Sequence, residues 1–141
     1  MLSDSEKSIQ QLNDLCAQSL VSHLQMEFFL DNSGMPALKM PVGSAQKQPF
    51  GQLHGGASLA MAETLAGAAS MWLLDSNQVA MGVQVNANHV QWVDRGWVFA
   101  YAKAIVLKAN WHLWDITIQD ELDRIISVVR IQNRIVDKVS E

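Results

Sequence analysis

Residues 54–74 read HGGASLAMAETLAGAASMWLL. The alanine-rich composition and the length of this stretch predict one long α-helix from His54 to about Leu74, ending near Asp75. Apolar residues lie nearly all round it, so the helix is expected in the interior rather than on a surface. Glu63 falls near its middle and is the only formally charged side chain between Lys47 and Asp75. That residue also argues against a membrane span. A central carboxylate costs about 2.5–3.5 kcal/mol on insertion scales, and Gly, Ala and Ser do little to offset it.

The flanking segments supply the rest of the architecture. Ser3 and Glu6 form a capping box, and Ile9, Leu12, Cys16, Leu20 and Leu24 recur at helical spacing, which predicts an amphipathic N-terminal helix over about residues 3–24. Two short strands follow, about Gln25–Leu30 and Met35–Met40, joined by the turn Asp31-Asn32-Ser33-Gly34. Lys47 to Leu53 reads as a loop punctuated by Pro49 and Gly51. Beyond the central helix, four strands are expected at Gln78–Trp92, Trp97–Leu107, Trp111–Gln119 and Arg124–Val136. The connections, Asp94-Arg95-Gly96, Lys108-Ala109-Asn110 and Asp120–Asp123, are short enough for antiparallel hairpins. Alternation in the first of these strands flips parity at Val90 and Trp92, which predicts a bulge near Asn88–His89. The order describes an α+β protein, one domain over residues 1–141, with an antiparallel β-sheet curled around a long central helix.

Composition bounds the function. The 141 residues are 49% hydrophobic and 17% charged, which suits a compact core and hints at apolar surface buried between subunits. Ten Lys/Arg against fourteen Asp/Glu give a net charge of −4, and no two basic residues are adjacent. Nucleic acid and anionic membrane are therefore poor partners. The single cysteine, Cys16, excludes an intrachain disulfide, reads as a packed thiol, and suits a reducing cytoplasm. No HExxH or CxxC occurs and His23 and His112 lack partners at ligand spacing, so no metal is expected.

The chemistry concentrates between Lys47 and Asp75. A carboxylate inside an Ala/Gly-rich helix is costly unless paired or functional, and the residues alone leave both readings of Glu63 open: a subunit contact or water-filled crevice, or catalysis. His54-Gly55-Gly56 stands at the helix start, where free amides and the helix dipole favour developing negative charge. Such donors stabilise an acyl-transfer oxyanion by about 3–4 kcal/mol each. The same Gly-Gly pair also serves as an ordinary tight loop-to-helix junction. His54 and Glu63 are nine residues apart, or about 13 Å along one helix. If both act on one carbonyl they come from different chains, so function predicts a dimer.

Gln48-Pro49-Phe50-Gly51-x-x-His54-Gly55-Gly56-Ala57-Ser58, followed by Ala62-Glu63-Thr64, resembles the hotdog-fold acyl-CoA thioesterases. The similarity is to the PaaI-like, Glu-type 4-hydroxybenzoyl-CoA thioesterase branch, which includes 1,4-dihydroxy-2-naphthoyl-CoA hydrolase and the enterobactin proofreading thioesterase. It runs from about Leu24 to Ile135 and takes in Asn86-Ala87-Asn88-His89 and the Trp114 strand. The resemblance implies a five- or six-stranded antiparallel sheet wrapped on one helix, and a dimer of dimers with sites shared at the dimer interface. It implies hydrolysis of an acyl-CoA or acyl-carrier thioester with an aromatic or medium acyl group, and no cofactor, since CoA is part of the substrate. Glu63 becomes the nucleophile or general base and Gly55 the oxyanion donor. Gln48 orients water or carboxylate, and His54 shapes the carbonyl site. Gly82, His89, Lys108 and Ser70 become substrate-binding residues.

Two departures stand out. Relatives place Ser or Thr one turn after the Glu, where this chain has Gly67, with Ser70 and Thr64 as the nearby hydroxyls. Relatives of the naphthoyl type carry an Arg pair where this chain has only Lys108, so a phosphate grip would be rebuilt from Arg95, Lys103 or Arg130. Met61 and Met71 are placed to border an acyl tunnel. The five Trp residues read mainly as sheet and interface packing. The alternatives to hydrolysis are a hotdog protein that binds an acyl or aromatic ligand without turnover and, more weakly, a hotdog dehydratase.

Overall fold

The structure is a computed structural model that describes residues 4–139. In chain order it comprises α1 (Asp4–Leu15), α2 (Leu20–His23), β1 (Glu27–Leu30), β2 (Pro36–Pro41), α3 (Gly55–Leu73), β3 (Gln78–His89), β4 (Trp97–Lys108), β5 (Trp111–Asp120) and β6 (Ile125–Asp137). The strands form one six-stranded antiparallel sheet in the order β1-β2-β4-β5-β6-β3, and α3 packs across it. This is the α+β architecture expected from the element order.

Side chains alternate across the sheet as the strand pleat requires. Along β5, His112, Trp114, Ile116, Ile118 and Asp120 are buried while the residues between them are half-exposed. Trp114, Ile116, Ile118 and Ile131 from the sheet meet Met61 and Leu65 from α3 in a core that excludes water. The Asp31–Gly34 turn forms as its residues predict. The Asp31 carboxylate accepts from the Ser33 and Met35 amides at 2.8 and 3.0 Å, and Gly34 takes the left-handed φ of 82°.

Several expectations are corrected. The N-terminal helix is broken, not continuous: α1 stops at Leu15 and Ser19 caps a separate α2. The Ser19 hydroxyl accepts from the Val21 amide at 3.2 Å and donates to the Cys16 carbonyl at 2.7 Å, offering the backbone an alternative to continued helix. The Ser3/Glu6 capping box lies outside the described residues. β3 and β4 do not form a hairpin. β3 pairs with β6 and stands at the sheet edge, so residues 90–96 form a crossover rather than a tight turn. The β3 irregularity falls between Gly82 and Gln84, not at Asn88–His89. The parity flip has another cause: the strand ends at His89, and Val90 and Gln91 both donate to the Ile126 carbonyl. Finally, α3 is not buried all round. The sheet covers the face bearing Met61, Leu65, Ala69 and Ser70, while Gly56, Glu63 and Met71 remain exposed.

Beneath the C-terminal half of α3 lies a polar knot. The Ser70 hydroxyl accepts from Trp114 Nε1 at 2.8 Å and Asn133 Nδ2 at 3.0 Å, both obligate donors. Its single proton is left for His112 Nδ1, 2.9 Å away, so the buried ring accepts there and carries hydrogen on Nε2. Burial holds the His112 pKa below the ordinary histidine value, because desolvation disfavours imidazolium. The folded chain therefore binds fewer protons at this ring than the unfolded chain does. Stability from this source is present above about pH 6.5 and is lost as pH falls below it. Urea unfolding at several pH values should show that decline, and His112→Gln should make it shallower. Ser70→Ala orphans two buried donors and is expected to lower the unfolding free energy by about 2–4 kcal/mol.

Candidate active site

Two groups of predicted residues occupy different parts of one chain. The first gathers at the start of α3. The loop before the helix is tied down by Gln48 N–H to the Gln52 carbonyl (2.8 Å), His54 N–H to the Gln46 carbonyl (2.8 Å), and Leu53 N–H to the Val93 carbonyl (2.8 Å). Gln48 Oε1 accepts from the Phe50 amide, which leaves its NH₂ group to act as a donor. His54 is the N-cap, with extended backbone and Nδ1 accepting from the Gly56 amide at 2.7 Å. A neutral His54 ring therefore presents Nε2–H outward. The Ala57 and Ser58 amides bond the His54 carbonyl. The Gly55 amide finds no acceptor among the described residues, as the first turn of a helix allows.

His89, at the end of β3, closes over this helix start. Its Nδ1 lies 2.8 Å from the Ser127 hydroxyl. Its Nε2 sits so near Gly55 that a Cβ there would approach to 2.8 Å. A side chain at this position would have to displace the His89 ring, whereas the backbone conformation makes no demand for glycine. Gln48, Gly55, Ser58, His89, Trp92 and Ser127 line a common cleft of about 160 Å³. Ser127 and Trp92 were not singled out from the sequence. Ser127 was legible in principle, because β6 alternation turns it inward opposite His89.

The second group lies mid-helix. Glu63 is exposed, with no hydrogen bond or ion pair among the described residues, and its Oε1 lies 3.7 Å from where a Gly82 Cβ would stand. Asn133 Oδ1 lies at the same distance from that position. Gly82 therefore belongs with Glu63, and His89 with Gly55. Eight residues of rigid helix separate Glu63 from Gly55, about 12 Å along the axis. In the single chain Glu63 is not enclosed with the core-facing residues of the helix: it sits on the side of α3 that the sheet leaves open.

Other predicted residues fall elsewhere. Ser70 is fully buried, with its hydroxyl engaged by Trp114, Asn133 and His112, so it cannot reach substrate. Seven residues on from Glu63, Ser70 lies only about 20° from it around the helix, yet the sheet covers Ser70 and leaves Glu63 and Met71 exposed. Met61 is likewise in the core, whereas Met71 is exposed. Lys108 ends β4 in a cross-sheet row with Trp111, Arg134 and Met81, apart from the cleft. Arg95 is held by Asp94 at 2.9 Å and Arg130 by Asp115 at 2.7 Å. The Arg130 hydrogen bonds keep the Asp115 carboxyl below the usual carboxylate range. Arg134, missed in the sequence, has no ion pair among the described residues. No cluster of three or more metal-ligating side chains occurs among the described residues, and no helix there is long and apolar enough to cross a membrane.

The Thioesterase superfamily profile matches residues 50–127, the stretch from the loop before α3 to β6. The chain belongs to the thioesterase superfamily. This thioesterase is 33% identical to the 1,4-dihydroxy-2-naphthoyl-CoA hydrolase of Escherichia coli, over 91% of this chain and 94% of that one. It matches the crystal structure of a Haemophilus influenzae thioesterase at 35% identity and TM-score 0.90, covering 94% of this chain and 93% of that chain. A Staphylococcus aureus protein matches at 35% identity with TM-scores of 0.79 and 0.78, over 84% and 82% of this chain and 98% and 97% of that one. Its two structures are variants, one with a glutamate and one with a glutamine changed to alanine. The altered positions are separated by as many residues as Glu63 and Gln48 are here. The chain is a thioester hydrolase with the hotdog fold.

Gly55→Ala is expected to push the His89 ring aside. The imidazole resonances of His89 in nitrogen-edited NMR spectra should shift while those of the buried His112 stay in place.

Proposed function

We propose that this thioesterase hydrolyses acyl-CoA thioesters with an aromatic or medium acyl group, using Glu63 of one subunit and the helix start of another. The observation that carries the reading is a pair of groups unmet among the described residues, the Glu63 carboxylate and the Gly55 amide, held too far apart on one helix to share a carbonyl. A second copy brings them together. β3 supports that assembly: it is an edge strand with Met81 55% and Val83 57% exposed, and such an edge is a template for pairing. Pairing β3 with its copy sets the two α3 helices side by side. A dimer of such dimers remains the larger assembly we expect.

In the shared site the partner subunit's Gly55 amide donates to the thioester oxygen as it becomes an oxyanion. Glu63 acts in one of two ways. As general base it takes a proton from water while the hydroxide adds to the carbonyl carbon. As nucleophile its carboxylate adds directly, and water then cleaves the mixed anhydride. In both, the C–S bond breaks and the thiolate departs; a thiol pKa near 8.5 makes it a leaving group that needs little acid assistance. The Gln48 NH₂ is free to orient water or the carboxylate, and His54 presents Nε2–H at the mouth. No cofactor enters the chemistry, and the cytoplasm is the proposed compartment.

The Staphylococcus aureus variants support the pairing of Glu63 with Gln48, since the same two residue types at the same spacing were chosen for replacement. A carrier-protein thioester is the second reading, favoured because Arg95 and Arg130 are already engaged in ion pairs and offer little to the CoA phosphates. An acyl-pantetheine hydrolysed as fast as the matching acyl-CoA would decide for it.

Glu63→Gln should keep the fold and lower kcat by about 10²- to 10⁴-fold in a thiol-release assay. A wild-type rate in that variant refutes the assignment. The shared site has its own test. Glu63→Ala and Gln48→Ala are each expected to be impaired, and mixing them after unfolding and refolding should restore activity. A heterodimer then holds one site with both residues intact. No recovery in mixtures that light scattering shows to be dimeric would place both residues in one subunit's site.

A further inference from the structure

Gly67 lies within α3, one turn beyond Glu63. Glycine weakens a helix interior relative to alanine, so its presence there calls for a reason. Backbone conformation is not the reason, because Gly67 is not among the residues with positive φ. Packing within the chain is not the reason either. A Cβ on Gly55 or Gly56 would press on His89 or His54, whereas a Cβ on Gly67 meets nothing within 4 Å. The missing side chain leaves open volume on the face of the helix that carries Glu63.

Charge restricts what can fill that volume. No Lys or Arg occurs between Lys47 and Arg95, so neither α3 nor β3 offers a cation. The space lies toward the helix C-terminus, the negative end of its dipole, and Asp75 follows shortly after. The CoA phosphates are disfavoured there and an uncharged group is favoured. Met71, 38% exposed one turn further on, adds an apolar wall. One helical turn is about 5.4 Å, the reach of a ring joined directly to a carbonyl held at Glu63.

We infer that Gly67 is a specificity-determining residue whose absent side chain makes room for an aroyl ring, with the CoA moiety leaving in the opposite direction. The inference rests on Glu63 being the catalytic carboxylate. The test measures kcat/KM for benzoyl-CoA and acetyl-CoA in wild type, Gly67→Ala and Gly67→Val. The benzoyl-to-acetyl ratio should fall progressively and by at least about tenfold in Gly67→Val, the size of effect expected when a hydrophobic pocket loses a few methyl groups of space. Gly67→Ala removes a helix-interior glycine and should raise Tm, so a drop in its ratio cannot be blamed on unfolding. A ratio unchanged in both variants overturns the inference. So does dissociation of the assembly by Gly67→Val, which would give the space to the partner's helix. A wild type that releases no thiol from benzoyl-CoA overturns it as well. Glu63→Gln in the same assay separates the two failures: a wild-type rate there refutes the catalytic carboxylate, whatever the Gly67 ratio.

Discussion

A rigid helix cannot bend its own first turn onto its middle, and that constraint organises this protein. The donors at the start of α3 and the carboxylate at its centre are complementary in charge and chemistry, yet 1.5 Å of rise per residue keeps them apart. The sheet then covers only one side of α3. Because β3 takes the edge position beside β6 instead of pairing with β4, the Glu63 side has no seventh strand to shield it. The chain is left with an open helix face and an open strand edge, both of which the proposed dimer would cover.

Rigidity is supplied from below. Ser70, His112, Trp114 and Asn133 hold the buried side of α3 to β5 and β6 through hydrogen bonds in a water-excluded core, where an unmade bond is expensive. Asn133 reaches two levels of the structure. Its amide donates to the Ala66 carbonyl and the Ser70 hydroxyl, while its oxygen stands beside Gly82 on the Glu63 side of β3. The helix bearing the acid and the strand facing it are thus referenced to one buried side chain. At the other end, the loop carrying Gln48 is fastened to the crossover by the Leu53–Val93 bond, and His89 is fastened to β6 through Ser127. The elements that line the cleft are thus fixed by bonds made outside it.

Much of this was legible in the sequence, and for identifiable reasons. Small residues over twenty positions can only be a helix that something packs closely against, and period-two alternation in four segments can only be a sheet. Glu63 stood out because it is the only charged side chain between Lys47 and Asp75, and Gly55-Gly56 because of its place at a helix start. The break in the N-terminal helix turns on the local Ser19 cap, and the other failures depended on non-local partners. Ser70 shares a nominal helical face with Glu63, but the sheet reaches round α3 far enough to engulf it. The Asp94–Gly96 segment has the composition of a hairpin turn, and nothing local records that β3 pairs with the last strand instead of the next one.

The sequence by itself determined the element order, the amphipathic strands, the long small-residue helix and the chemical identity of the groups along it, because these follow from side-chain size, periodicity and local backbone preference. Only the tertiary structure decided which face of α3 stays uncovered, that the His89 ring packs against Gly55, that Ser70 is an internal hydrogen-bond hub, and that Gly67 borders open space. Each of those depends on an approach between segments dozens of residues apart. Such an approach is set by how the sheet closes over the helix, which no single stretch of residues encodes.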